Sequence, residues 1–179
     1  MRKILLILLT TMSFLLTAQT NYITGLEQRW YNDPTDWIVA TDSLDGELKM
    51  RWRTPPDKTE WEYSLDKATF GTIKRKWKDD LTAWELVAST GEIVTARTLW
   101  GADLSEWRIT DNQQSVELKS YYKNDPNVWY LADYKCGKFT IHTPLNNDFR
   151  VWRVDNTDEC MSPSVQLFLV FLAMFHSKR

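Results

Sequence analysis

The residues of this chain that could carry chemistry are aspartates that recur at one fixed place. Each follows an apolar position (Trp, Tyr or Leu) by three residues, and they are Asp33, Asp80, Asp103, Asp125 and Asp148. A ring of such carboxylates could bind a cation or the hydroxyl groups of a sugar. Aspartate also bonds to its own backbone and so starts turns. Because one carboxylate in each separate loop would spread the ligands apart, we expect these aspartates to form turns.

The ten tryptophans pose the same choice between a binding role and a structural role. Tryptophan joins an apolar ring to a polar N–H, so exposed rings such as Trp30 and Trp100 could stack on sugars or lie at a membrane interface. Their regular recurrence favours the structural role, because a binding site needs one local cluster. The candidate binding residues are therefore Trp30, Trp100, Asp33, Asp103 and Asp125.

Other patterns of catalysis or metal binding do not occur in the sequence. His142 and His176 are the only histidines, and no group of Cys, His and acidic residues has the spacing of metal ligands. The G-x-S-x-G elbow, glycine-rich phosphate loops and zinc motifs are absent as well. We therefore predict a protein without catalytic activity, metal or cofactor. An enzyme with an unrecognised acidic site is the alternative.

The tryptophans occupy two slots that repeat about every 23 residues. The first slot holds Trp30, Trp52, Trp77, Trp100, Tyr122 and Leu145, and the second holds Trp37, Trp61, Trp84, Trp107, Trp129 and Trp152. Repeats of this length are single supersecondary units that bury a face only by acting together. The sequence therefore predicts a fold built from six similar units.

Within each unit apolar and polar residues alternate, as in Trp107-x-Ile109 and Leu48-x-Met50-x-Trp52. Alternation with a period of two predicts a pair of strands in each unit. The predicted turns contain Gly46, Gly71, Gly91 and Gly137, and glycine there would supply positive φ.

Two details of strand pairing follow from the same pattern. Tryptophans that flank one loop are expected to face each other on adjacent strands, where aromatic pairs stabilise a sheet. In the third unit Ile93 and Trp100 are out of phase, which predicts a β-bulge between them.

The C-terminal stretch from Ser162 to Phe175 is apolar on every side, since only Gln166 is polar after Ser164. A helix of this kind must be enclosed by protein or lipid. Ser162 is a suitable N-cap and Pro163 a suitable first residue, so we predict a helix over about 163–176. Its apolar run spans about 20 Å, which is short for a membrane span. We expect it to lie inside the chain, and a membrane-seeking or partner-seeking tail is the alternative.

Together these elements predict an all-β fold, a closed antiparallel barrel of about 12 strands that encloses the hydrophobic C-terminal helix. The repeats cover about residues 22–155 of a single domain over 19–179. Closure removes exposed strand edges, and a barrel of this size leaves a space that a helix can fill. A β-trefoil and an open row of hairpins are the alternatives.

This order of elements resembles the tubby-like barrel of tubby C-terminal domains, LURP-one-related proteins and phospholipid scramblases. In that superfamily twelve antiparallel strands surround a hydrophobic helix at the C-terminus. The resemblance covers the chain after its leader and rests on strand count, element order and the tail from Val165 to Phe175, not on a shared motif. It implies a lipid or another amphiphile as the class of ligand.

The N-terminus, residues 1–18, has the form of a secretory signal peptide, with Arg2 and Lys3 before an apolar run. Its removal would change the net charge from −2 to −4, which is not the charge of a nucleic-acid binder. In an oxidising compartment Cys136 and Cys160 are a candidate disulfide, with two unpaired thiols as the alternative. We predict an exported, periplasmic or extracellular monomer that binds a lipid or amphiphile, or alternatively a carbohydrate.

Overall fold

The computed structural model describes residues 22–43, 45–53, 56–123 and 125–177, without the side chains of 53, 56 and 57. The predicted signal peptide lies outside the described residues. The elements are β1 (Ile23–Trp30), β2 (Asp33–Thr41), β3 (Gly46–Arg53), β4 (Pro56–Ser64), β5 (Phe70–Trp77), β6 (Asp80–Ala88), β7 (Ile93–Thr98), β8 (Glu106–Thr110), β9 (Ser115–Tyr122), β10 (Asp125–Ala132), β11 (Phe139–His142), β12 (Val151–Asn156) and α1 (Pro163–Ser177).

The strands form one closed antiparallel barrel in which each strand pairs with the next along the chain. The barrel closes where β1 meets β12, with Gly25 opposite Arg153 and Leu26 opposite Trp152. The predicted closed barrel is therefore confirmed, and the trefoil and the open row of hairpins are excluded. Closure leaves no strand edge unpaired in this sheet.

Helix α1 fills the barrel, and every residue from Ser164 to Ser177 is buried. The predicted C-terminal helix is confirmed, together with its N-cap, because Ser162 Oγ accepts a hydrogen bond from the Val165 amide at 3.2 Å. The strands bury their alternate residues against the helix, so helix and strands share one hydrophobic core. No helix among the described residues is long and apolar enough to cross a membrane.

Gln166 is the polar residue that fixes the helix to the closing strands. Its Oε1 accepts hydrogen bonds from the Ile23 amide at 3.1 Å and from Asn156 Nδ2 at 3.0 Å. Its Nε2 donates to the Met161 carbonyl at 3.2 Å. Ile23 begins β1 and Asn156 ends β12, so the one polar side chain of the apolar run sits where the barrel closes.

The barrel has two distinct ends. At one end lie the connections within the six hairpins and the C-terminus of α1, and we call this end the rim. At the opposite end lie the connections between hairpins and the start of α1. A disulfide at this opposite end joins Cys136, after β10, to Cys160, before α1, with an S–S distance of 2.18 Å.

The glycines of the predicted turns have two different roles. Gly91 and Gly137 lie in connections and have positive φ of 86° and 130°. Gly46 and Gly71 instead lie in β3 and β5 without positive φ, so that prediction is wrong for them. A Cβ on Gly71 would lie 2.2 Å from the Val87 carbonyl oxygen, so glycine there permits close approach of neighbouring strands.

The predicted pairing of tryptophans across each loop is wrong. Trp30 lies opposite Asp33, while Trp37 lies opposite Gln28. The first hairpin has a register shift just before its first-slot tryptophan, between Gln28 and Trp30. The same shift lies between Met50 and Trp52 and between Arg75 and Trp77. Such irregularities redirect a side chain, so the two slots face different environments.

The β-bulge predicted between Ile93 and Trp100 is also wrong. Strand β7 pairs without a register shift on both sides. Its inward residues are Val94 and Ala96, and Ile93 points outward with 46% of its surface exposed. The alternation is intact, and Ile93 is an apolar residue on the outer face.

Candidate functional site

The rim is built from a segment in which an aspartate precedes a second-slot tryptophan by four residues. In the first hairpin Asp33 Oδ1 accepts hydrogen bonds from the Thr35 amide at 2.9 Å and from the Thr35 hydroxyl. In four other hairpins an aspartate carboxylate likewise accepts a hydrogen bond from the backbone amide two residues later. These aspartates are Asp80, Asp103, Asp125 and Asp148. These carboxylates form turns, and each belongs to a different hairpin.

The turn contacts also stabilise the charged form of the carboxylates. Hydrogen bonds from the hydroxyl and the amide of Thr82 hold the pKa of Asp80 below its usual range. Hydrogen bonds from the hydroxyl and the amide of Ser105 likewise lower the pKa of Asp103, and the positive charge of Lys123 lowers it by a smaller amount. No group of three or more His, Cys, Asp or Glu within the described ranges could hold a metal ion.

The second-slot tryptophans form a collar that surrounds the last turns of α1. All six are at most 2% exposed, and they are Trp37, Trp61, Trp84, Trp107, Trp129 and Trp152. In five of them the indole N–H donates to the carbonyl three residues earlier, at 2.7 to 3.2 Å. Trp84 packs edge-on against Phe171 and Phe175 at centroid distances of 5.1 and 4.8 Å. The collar is structural.

The first-slot residues are exposed, contrary to the interpretation that every tryptophan is structural. Trp30, Trp52, Trp77 and Trp100 are 54% to 68% exposed. With their neighbours they form a set of eight exposed residues, seven of them aromatic, which we call the aromatic rim: Trp30, Tyr31, Trp52, Trp77, Trp100, Tyr121, Tyr122 and Leu145. The other two large hydrophobic side chains exposed in the described residues, Phe70 and Ile93, lie at the opposite end. The exposed apolar surface is therefore concentrated at one end.

Polar contacts hold several of these exposed rings in place. The Trp52 indole N–H donates to Glu60 Oε2 at 3.2 Å, and that of Trp100 donates to Glu106 Oε2 at 3.1 Å. The guanidinium of Arg150 lies 4.6 Å from the centroid of the Tyr31 ring. Rings fixed in this way lose little conformational entropy on binding.

One cleft in the rim brings two of the predicted site residues together. It has a volume of about 510 Å³ between the fourth and fifth hairpins, and its lining includes Trp100, Asp103, Glu106, Tyr121 and Lys123. Trp30, Asp33 and Asp125 do not line this cleft, so the structure does not gather all five predicted residues. Sequence reasoning missed Tyr121 and Lys123, although the doubled tyrosine at 121 and 122 was a signal for an enlarged aromatic surface.

Charge is distributed unequally between the two ends. The connections at the opposite end contain eight acidic residues and three lysines: Asp42, Asp45, Asp66, Glu92, Asp111, Asp133, Asp158 and Glu159, with Lys67, Lys135 and Lys138. The connections at the rim contain three acidic and three basic residues: Asp79, Asp103 and Asp148, with Lys78, Lys123 and Arg150. The rim is therefore neutral in sum, whereas the opposite end is strongly acidic.

The comparisons with known proteins give no relative for this chain. No family model, no curated protein and no solved structure matches it.

Proposed function

We propose that this protein is a non-catalytic binding protein of the cell envelope, which attaches to a lipid surface through its aromatic rim. One observation carries the proposal: of the ten large hydrophobic side chains that are exposed in the described part of the chain, eight surround one end of the barrel. Tryptophan is usually well buried, and contiguous exposed apolar surface marks an interaction site. Tryptophan and tyrosine are also the residues that membrane proteins enrich at the level of the lipid headgroups.

The circular arrangement favours a flat partner over a single small ligand. Twelve strands spaced about 4.8 Å apart and tilted by about 40° enclose a barrel roughly 24 Å across. Rings placed around a circle of this width cannot all touch one small molecule. A membrane surface, in contrast, can contact all of these rings at the same time.

The charge of the two ends supports the same orientation. Anionic membranes attract basic segments and repel acidic ones over about a Debye length. With the neutral rim on the membrane, the eight carboxylates of the opposite end point away from it. Lys76 and Lys78 flank Trp77 and are both exposed, so two positive charges lie beside this rim tryptophan and can interact with anionic headgroups.

Export and the ligand class rest on further observations. A signal-like N-terminus and the Cys136–Cys160 disulfide both suit an oxidising compartment outside the cytoplasm. The arrangement of a barrel around an apolar C-terminal helix agrees with the tubby-like resemblance, for which a lipid or amphiphile is the implied ligand class. Fold likeness alone is weak support for function, so the aromatic rim carries the argument.

Co-sedimentation of residues 19–179 with zwitterionic and anionic vesicles tests the proposal. We expect the protein to sediment with the vesicles, and the double variant Trp30→Ser/Trp77→Ser to lose most of this binding. The matched control is Phe70→Ser/Ile93→Ser, which removes exposed apolar side chains from the opposite end and should bind like the unaltered protein. An unaltered protein that stays in the supernatant with both vesicle types, or equal losses in the two variants, would refute the proposal.

A further inference from the structure

We propose that the cleft between the fourth and fifth hairpins binds a pyranose ring of a neutral saccharide. This goes beyond attachment of the rim to lipid, because it assigns a local site to one sector of the rim. The cleft volume of about 510 Å³ lies within the range of ligand pockets, which is roughly 300 to 1,000 Å³.

Aromatic faces supply the apolar part of this site. Trp100 and Tyr121 line the cleft and are 68% and 60% exposed. The hydrogen bond from Trp100 Nε1 to Glu106 fixes the Trp100 ring, and Tyr121 packs edge-on against Tyr130 at a centroid distance of 5.9 Å. A pyranose has an apolar face of C–H groups, and an amphipathic aromatic ring held in place suits such a face.

The charges that line the cleft are balanced, which favours an uncharged ligand. Lys123 Nζ lies 3.6 Å from Asp103 Oδ2, and Lys119 Nζ lies 3.6 Å from Glu106 Oε2. Two carboxylates and two lysines together present acceptors and donors without a net charge. An ionic ligand would have to compete with one of these pairs, whereas hydroxyl groups can bond to both members.

A second cavity extends the site along Trp100. It has a volume of about 310 Å³ and is lined by Trp100 together with residues that include Arg97, Thr98 and Arg108. Trp100 therefore borders two cavities, so an oligosaccharide can place successive sugars in the two. Its source would be a soluble glycan or the headgroup of a glycolipid, and the experiment separates the two.

Titration calorimetry on residues 19–179 tests this site with two sets of probes. The soluble set contains hexasaccharides of β-glucose, α-glucose, N-acetylglucosamine, xylose and mannose. The membrane set compares vesicles of zwitterionic lipid with and without a galactosyl glycolipid. We expect at least one probe to bind, and Trp100→Ala and Tyr121→Ala each to raise its Kd at least tenfold. Binding to a hexasaccharide identifies a free glycan. Tighter binding to glycolipid vesicles than to plain vesicles, without binding to any hexasaccharide, identifies a headgroup.

Trp30→Ala is the matched control, because Trp30 is an exposed rim tryptophan outside the cleft. It should leave saccharide binding unchanged while weakening attachment to plain vesicles, so failures of the two proposals are distinguishable. Lys123→Ala, at a side chain that is 80% exposed, provides a cleft variant that does not disturb the core and should weaken saccharide binding. The proposal would be overturned if no hexasaccharide binds and the glycolipid adds nothing to vesicle binding, or if Trp30→Ala and Trp100→Ala weaken saccharide binding equally.

Discussion

At the scale of single residues, the aspartate that precedes each second-slot tryptophan is a turn former whose contribution can be measured. Asp80→Ala removes the hydrogen bonds from the amide and hydroxyl of Thr82 at 2.7 and 2.5 Å. We expect it to lower the free energy of unfolding by about 1 kcal/mol. Asp79→Ala removes an exposed carboxylate one residue earlier and should have a much smaller effect, which urea denaturation would show. Equal effects would contradict a specific role for Asp80.

The buried Tyr63 is expected to make the free energy of unfolding depend on pH in the alkaline range. Burial raises the pKa of Tyr63 to about 12, even though its hydroxyl bonds to Ser164 Oγ at 3.0 Å. An unfolded tyrosine titrates near pH 10, so the folded state holds this proton more tightly. The stabilisation is therefore complete below pH 10 and is lost as the pH rises from about 10 to 12. Tyr63→Phe should flatten this part of the stability profile, measured by urea denaturation at pH 8, 10 and 11. An unaltered slope would refute the assignment to Tyr63.

At the scale of elements, helix α1 is part of the barrel core and not an appended tail. Leu169 and Leu172 are fully buried, so Leu169→Asp or Leu172→Asp would place an unpaired charge in a dry interior. We expect a loss of about 4 kcal/mol or more, and truncation after Pro163 should abolish folding. Leu145→Asp, at a rim side chain that is 66% exposed, is the control and should leave the melting temperature nearly unchanged. Circular dichroism melts measure all four proteins, and a truncated chain with a normal cooperative transition would contradict enclosure of the helix.

The helix and the barrel were predictable because their signals are local. The run from Val165 to Phe175 has no polar side, and strand alternation recurs in every unit. The partners of Gln166 were not predictable, since Ile23 and Asn156 come from opposite ends of the strand sequence. Contacts between residues so far apart along the chain produce no pattern in the local sequence.

The division of the tryptophans into buried and exposed sets was not predictable for a related reason. Both slots recur with the same period, and the register shifts that accompany the outward Trp30, Trp52 and Trp77 leave no signal in that period. The cleft beside Trp100 depends on the fourth and fifth hairpins lying side by side, which brings Tyr121 and Lys123 to Asp103. Trp100 and Asp103 could be predicted from the repeat, whereas their spatial neighbours Tyr121 and Lys123 could not.

At the scale of the whole molecule, the rim and the opposite end differ in both polarity and charge. Helix α1 ends inside the collar, where Ser177 Oγ donates to the Pro126 carbonyl at 2.8 Å and accepts from Trp129 Nε1 at 3.2 Å. The collar therefore supports the exposed aromatic rim on a packed core. A rigid ring of aromatic side chains can engage a surface without reorganising the barrel.

Intrinsic fluorescence with vesicles that contain brominated lipids tests most directly the proposal that the rim attaches to lipid. Four tryptophans lie in the rim at 54% to 68% exposure, and the six collar tryptophans are at most 2% exposed. We predict a blue shift and partial quenching for the unaltered protein, because the four rim rings enter the bromine-containing layer. A variant with serine at Trp30, Trp52, Trp77 and Trp100 should show neither change. Emission of the unaltered protein that is insensitive to the vesicles, or quenching that persists in the variant, would contradict the account.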